Sequence, residues 1–327
     1  MRRMPRIVSL LPSATEIVCA VGARGELTGV SHECDWPHDV VGLPVLTSAK
    51  TMPSPSSLAI DRSVREVVRQ ALAVYDIDTA LLERLSPDVV VTQDLCDVCA
   101  VSLTDVRSAV ARLAKRDVTI VSLRPEKLHD ILADIERTGA AIGRHTEAKR
   151  VVASLLARVD AVRARAASAV TRPNVLTIEW IEPVMLGGMW MPELVTLAGG
   201  TPLVTAPGER APTVSRTDLA RLDPDVVLVK PCGFTLERTL AEIDTLPRVL
   251  PWAEWKCVRE GRVFIADGNA YFNRPGPRIV DSLEILAACI HPEIFVDHAE
   301  RYADAVLRVS PDLRTHPWCA VRGEVSR

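Results

Sequence analysis

One phrase occurs twice in the chain. Leu82-Glu83-Arg84-Leu85-Ser86-Pro87-Asp88-Val89-Val90-Val91 returns as Leu219-Ala220-Arg221-Leu222-Asp223-Pro224-Asp225-Val226-Val227-Leu228-Val229. In each copy a helix-patterned stretch stops at a Pro-Asp turn, and a run of β-branched residues follows, the pattern of a strand buried on both faces of a parallel sheet. Two copies of this unit predict two similar α/β lobes. The cleft between such lobes is where a small molecule binds.

The length agrees, because 327 residues exceed one ordinary core and single domains mostly run ~100–200 residues. With 48% hydrophobic and 25% charged residues, each lobe can bury a core. A formal charge of -3 gives no electrostatic reason to expect nucleic acid or an anionic membrane surface as partner. No apolar run approaches the ~20 residues that span a bilayer, so no membrane insertion is expected. At the amino terminus, Arg6-Ile7-Val8-Ser9-Leu10-Leu11-Pro12 is too short for a signal core and reads as a first strand. The sequence therefore reads as leaderless, which predicts a cytoplasmic protein.

Local punctuation divides the chain into an N-terminal α/β lobe at 1–125, a helical linker at 126–170, a C-terminal α/β lobe at 171–290 and a polar tail at 291–327. After the first strand, Ser13 stands three residues before Glu16, the spacing of a capping box. A second short strand at 29–31 runs into His32-Glu33-Cys34-Asp35-Trp36-Pro37. Residues 51–57 are rich in Pro, Ser and Thr, and 58–75 show helical spacing. Between 125 and 171 there is no strand signal, only helical periodicity broken at Gly143. Helical linkers are semi-rigid spacers, so little hinge motion is expected.

Four segments in this order carry a family resemblance: Arg6-Ile7-Val8-Ser9-Leu10-Leu11-Pro12-Ser13-Ala14-Thr15-Glu16, the Pro-Asp-Val-Val repeats, Ala198-Gly199-Gly200-Thr201, and Tyr271-Phe272-Asn273-Arg274-Pro275-Gly276-Pro277-Arg278. The chain resembles the helical-backbone (class III) substrate-binding proteins of ABC importers, most closely their cobalamin-binding branch, over about residues 6–290. The resemblance implies two Rossmann-like lobes with parallel sheets joined by a long backbone helix. It also implies a corrinoid, cobalamin or a relative, held between loops at the strand carboxyl ends. Matching along the motifs puts Trp180, Tyr271, Phe272 and Arg274 on ligand-contacting positions, with Glu33 and Gln93 standing where the family has aromatic residues. The residues themselves point the same way, since Ser13, Glu33, Gln93, Trp180, Tyr271 and Arg274 all follow predicted strands, the edge where open α/β sheets take ligands. Trp, Tyr and Phe suit a flat macrocycle, and Arg and hydroxyl groups suit its polar substituents. Trp252 and Trp255 read as packing residues.

Read as leaderless, the chain is expected to depart from the family at its amino terminus, and it carries an insertion at 53–77. The family docks on its permease through one carboxylate from each lobe; Asp218 lies near one such position, and the first lobe has no clear counterpart.

Eight cysteines are too few and too scattered for a disulfide scaffold, and Cys19 and Cys289, on apolar faces, read as buried hydrophobes. A sharper cluster is His32 and Cys34 after one strand, with Cys96 and Cys99 after another. Three thiols and an imidazole form a plausible zinc set. A Cys-x-x-Cys string beside a helix start also fits a redox pair. Packed thiols, a structural metal or disulfide, and direct contact with a bound corrinoid all stay open. No hydrolase constellation, P-loop or Gly-x-Gly-x-x-Gly string stands out. The expected protein is a binder, not an enzyme, that sequesters, delivers or takes up a corrinoid, with a permease or corrinoid-using enzyme as partner. The alternatives are a binder of haem or a ferric siderophore, and a redox or metal-dependent enzyme built on Cys34, Cys96 and Cys99.

Overall fold

Each Pro-Asp turn ties a strand start to its neighbour in the same way. In the computed structural model, which describes residues 4–49, 54, 56–69, 75–94, 103–112 and 117–318, the Asp88 carboxylate accepts the Arg6 N–H at 2.8 Å. Asp88 also donates its own N–H to the Arg6 carbonyl at 2.8 Å. Asp225 repeats this with Asn174, at 2.7 Å to the carboxylate and 2.8 Å to the carbonyl. Aspartate at this point satisfies a backbone donor that would otherwise be orphaned at the strand entrance.

The first lobe contains β1 (Ile7–Ser9), β2 (Leu27–Gly29), β3 (Thr47–Ala49), β4 (Tyr75–Ile77), β5 (Val89–Gln93) and β6 (Thr119–Leu123). Its main sheet runs β2-β1-β5-β6, all parallel, with β5 buried at every position. β3 and β4 form a separate antiparallel pair. The second lobe contains β7 (Asn174–Trp180), β8 (Met185–Leu186), β9 (Thr201–Pro202), β10 (Val226–Val229), β11 (Val263–Ala266), β12 (Val306–Val309) and β13 (Thr315–Pro317). Here β9, β7, β10 and β11 are parallel, and β8, β12 and β13 join antiparallel. The stretch after Ile290, read from the sequence as a tail, thus supplies two strands of the second sheet. The sequence signal misled because Pro311 and Pro317 punctuate two short strands, with β13 at the edge of the sheet.

Helix α1 (Pro12–Ala20) follows β1, α2 (Ser57–Arg69) lies between β3 and β4, α3 (Thr79–Leu85) precedes β5, and α4 (Leu103–Arg112) precedes β6. The capping box expected at Ser13 does not form. Leu11 is the N-cap, without a side-chain cap, Pro12 is the first helical residue, and Ser13 lies inside the helix. Pro suits the first helical position, and it moves the start two residues earlier, with the N-cap at Leu11 instead of Ser13.

α5 (Leu128–Ala141) and α6 (His145–Ala166) join the lobes. At 22 residues, α6 is about 33 Å long at ~1.5 Å per residue. Its buried stripe, Ala148, Val152, Leu155, Val159, Val162 and Ala166, recurs every three or four residues. Gly139 lets α5 approach α6, since a Cβ there would come within 2.3 Å of Ala148 Cβ. On its other side α6 meets the Ile279–Ile290 helix through apolar contact and ions: Arg158 reaches Glu284 at 2.9 Å and Asp281 at 2.5 Å. One continuous apolar cluster runs from α1 and β1 through α5 and α6 into the Ile279–Ile290 helix. Leu283→Ala, at a fully buried position of that helix, is expected to cost about 2–5 kcal/mol while unfolding stays a single transition, as read by urea titration with two spectroscopic probes.

Candidate functional site

The loops leaving the strand carboxyl ends of the two lobes meet on a buried carboxylate. Glu16, on α1, has 2% of its side chain exposed and accepts two hydrogen bonds from Arg278, from Nε at 2.9 Å and from a terminal nitrogen at 2.5 Å. Arg274 adds a contact to Glu16 at 3.4 Å, spans both oxygens of Asp35, one of them at 3.0 Å, and donates to Asn269 Oδ1 at 2.9 Å. Asn269 closes the circuit by donating to Asp35 at 2.8 Å. Glu16 and Asp35 belong to the first lobe, and Arg274, Arg278 and Asn269 to the second. The cluster is therefore an interlobe lock. The Arg278 guanidinium also lies 5.1 Å from the Trp36 ring centroid and 5.7 Å from that of Tyr271, cation–π distances that place both rings at the same junction.

Ionisation follows this geometry. Burial alone would raise Asp35, but hydrogen bonds and charge from Arg274 outweigh it, and its carboxyl is held below the usual range. Burial would lower Arg274, and pairing with Asp35 and Glu16 outweighs that too, raising it. A second matched pair sits at the ends of β7 and β10. Lys230 has no exposed side-chain surface and donates to Glu179 at 3.1 Å and Asn273 Oδ1 at 3.0 Å. Asn273 in turn donates to the Lys230 and Gly268 carbonyls.

The aromatic residues expected at the site divide. Trp180 is half-buried at the end of β7, its ring 5.2 Å from Phe234 in an edge-on arrangement, and its indole N–H finds no partner among the described residues. Phe234 carries the Arg238 guanidinium at 4.3 Å. Tyr271 is half-buried, edge-on to Tyr302 at 6.0 Å, and burial raises its hydroxyl pKa. Phe272, one residue on, is 1% exposed and belongs to the core, its backbone tied to Ser282 and Trp190. Its φ of 66° turns the chain there, which sends neighbouring side chains in different directions. Arg274 lies in the lock. Ser13 is 2% exposed beneath Gly276, whose Cβ, if present, would stand 3.3 Å from the Ser13 carbonyl. Gln93 is buried at the end of β5, and Glu33 is exposed and accepts from the Tyr75 hydroxyl at 3.2 Å.

The four-residue zinc set is not assembled by what the structure describes. His32 Nδ1 pairs with Thr47 Oγ1 at 2.7 Å, whereas Cys34 is core, its sulfur 3.1 Å from Thr15 Oγ1. Burial pushes the Cys34 thiol up to about 11, an effect the Thr15 hydrogen bond only partly offsets. Cys96 and Cys99 lie outside the described residues, among which no group of three His, Cys, Asp or Glu side chains could hold a metal. The geometric premise also fails. β1 runs between β2 and β5, so the two strings follow strands about two spacings of ~4.8 Å apart rather than one.

Sequence reading missed Glu16 as a lock residue, along with Asp35, Asn269, Arg278, Lys230, Phe234 and Arg238. Glu16 carried a signal that the capping-box spacing claimed, and Asp35 and Arg278 stood inside strings singled out for their neighbours.

A second interlobe tie lies at α2. Glu242 accepts from the Ser57 N–H at 2.8 and 3.0 Å and from the Ser57 hydroxyl at 2.6 Å, while Arg238 holds Glu242 at 2.8 Å and reaches the Ser54 carbonyl at 3.4 Å.

Two α/β lobes on a helical backbone, their strand-end loops converging on one junction, define a two-lobed substrate-binding protein. The chain belongs to the periplasmic binding protein family, whose model matches residues 7–270. It is 22% identical over 298 residues to the uncharacterised ABC transporter substrate-binding lipoprotein YvrC of Bacillus subtilis, a match covering 89% of this chain and 81% of that one. Its fold is similar to a periplasmic haem-binding protein from Pseudomonas aeruginosa, with TM-score 0.67, 20% identity, and 88% and 93% of the two chains covered. It is also similar to the periplasmic vitamin B12-binding protein BtuF of Vibrio cholerae, with TM-score 0.62, 19% identity, and 88% and 97% covered. Among the described residues no helix is long and apolar enough to cross a membrane.

The lock has a pH signature. Because Asp35 is held below its unfolded value of ~3.9, its contribution is complete above that value and is lost as pH falls through the lowered folded one. Melting temperature measured from pH 6 to pH 3 should drop less steeply in Asp35→Asn than in the parent, with the variant already less stable at pH 6.

Proposed function

We propose that this chain captures a corrinoid, cobalamin or a close relative, between its lobes and hands it to an ABC permease or a corrinoid-using enzyme. The observation that carries this reading is aromatic surface after strand carboxyl ends in both lobes: Trp36 and Tyr271, which flank Arg278 at the lobe junction, and Trp180 at the end of β7. Trp36 is 39% exposed, and both other rings are half-buried. Rigid aromatic area with a polar rim is what a large, flat, amide-fringed macrocycle requires. Family membership supports a binding role, and the likeness to haem- and vitamin B12-binding proteins supports a metal chelate as ligand. The raised pKa of the buried Cys34 thiol argues against a nucleophilic or redox role for it, since reactivity belongs to the thiolate.

Calorimetry with cyanocobalamin is expected to give one site at micromolar affinity or better. Trp180→Ala or Tyr271→Ala should weaken binding by ~1–3 kcal/mol, the usual loss for a desolvated aromatic anchor. Absence of binding to the unmutated protein, with hemin binding in its place, would replace the corrinoid by haem.

A further inference from the structure

The charges at the junction of the lobes are already balanced, and this constrains which chelate the cleft accepts. Glu16 and Asp35 oppose Arg274 and Arg278, two negative groups against two positive ones. The side chains of Glu16, Arg274 and Arg278 are 2%, 7% and 14% exposed. Nearby cations are matched as well: Lys230 by Glu179, Arg238 by Glu242 and, at the end of β5, Arg124 by Asp94.

A ligand fringed with carboxylates would have to take a guanidinium away from Glu16 or Asp35. The junction would then hold three anions for two guanidiniums, with Glu16 buried and short of one of its two partners or Asp35 stripped of Arg274. Stripping one partner from a buried pair is strongly unfavourable, more so than losing an exposed pair. A ligand fringed with amides makes no such demand. It can leave the lock intact, because no guanidinium has to give up Glu16 or Asp35.

Resting on the reading that the cleft holds a metal chelate, we infer that it selects chelates with a neutral, amide-bearing periphery over polycarboxylate ones, and that Glu16 is the residue that sets this preference. Glu16 is a specificity determinant acting through Arg274 and Arg278, not a ligand contact. Removing its charge should leave the guanidiniums in excess and open the site to anionic chelates.

The test compares two probes that share the corrin, the cobalt and the absence of a nucleotide loop: dicyanocobinamide, with amide side chains, and dicyanocobyrinic acid, with carboxylates. Titration of the full chain at pH 7 should show the amide form binding tighter by about tenfold or more. Glu16→Gln, which keeps the side-chain volume, should narrow that gap by strengthening the acid with little change for the amide form. Asp35→Asn, at a half-exposed side chain, provides the same readout should Glu16→Gln fail to fold. Equal or tighter binding of the acid by the unmutated protein, or a gap unmoved in both variants, overturns the inference while leaving chelate capture standing. Failure of both probes, cyanocobalamin and hemin to bind removes the chelate reading and the inference with it.

Discussion

A carboxylate almost fully removed from water stays charged only if nearby cations replace its hydration. Glu16 meets that condition with groups from the other lobe: Arg278 by two hydrogen bonds and Arg274 by a third. The relative placement of the lobes is therefore an electrostatic requirement of α1 as much as a packing preference. Separating the lobes at this point would expose an unpaired carboxylate on one side and two unpaired guanidiniums on the other. Trp36 and Tyr271 flank Arg278, so the same contact that sets the lobe geometry also sets where the aromatic surfaces stand.

A second carboxylate has the reciprocal role. Glu242, in the second lobe, accepts the Ser57 N–H and hydroxyl at the start of α2, which belongs to the first. Negative charge at a helix amino terminus meets orphan N–H groups and the positive end of the dipole. Each lobe thus supplies one buried acid that binds groups of the other, Glu242 being held as well by Arg238 of its own lobe. With α6 as a packed spacer and both ties in place, relative motion of the lobes has to break charged contacts as well as bend a helix.

Much of the architecture was legible because it rests on local chemistry. The Pro-Asp repeats marked two strand entrances, and Asp88 and Asp225 make the same reciprocal bonds there. The stripe of α6 marked the backbone helix. What local pattern could not reveal was strand order. Reading His32-Glu33-Cys34 and Cys96-Asp97-Val98-Cys99 as neighbours assumed that β2 pairs with β5, whereas β1 lies between them. Sheet order in a parallel lobe is decided by crossovers and long-range packing, which leave no mark in a short string. The stretch after Ile290 shows a related effect, because β12 joins the sheet on β11 across the intervening Ile279–Ile290 helix and β13 is a three-residue edge strand paired only to β12.

The site was legible as a set of residue types and illegible as a set of directions. The motif puts Tyr271, Phe272 and Arg274 together as ligand contacts, yet a positive φ at Phe272 sends its ring into the core while Tyr271 stays half-exposed and Arg274 turns to Asp35. Glu16 shows the same ambiguity from the other side. Its spacing from Ser13 satisfied a local rule, and Pro12 at the first helical position removed the vacancy that the rule fills. Freed from capping, the carboxylate points across the cleft, where its value depends on residues more than 250 positions later. Local rules identify what a side chain can do, and only the assembled fold selects which of its possible partners it meets.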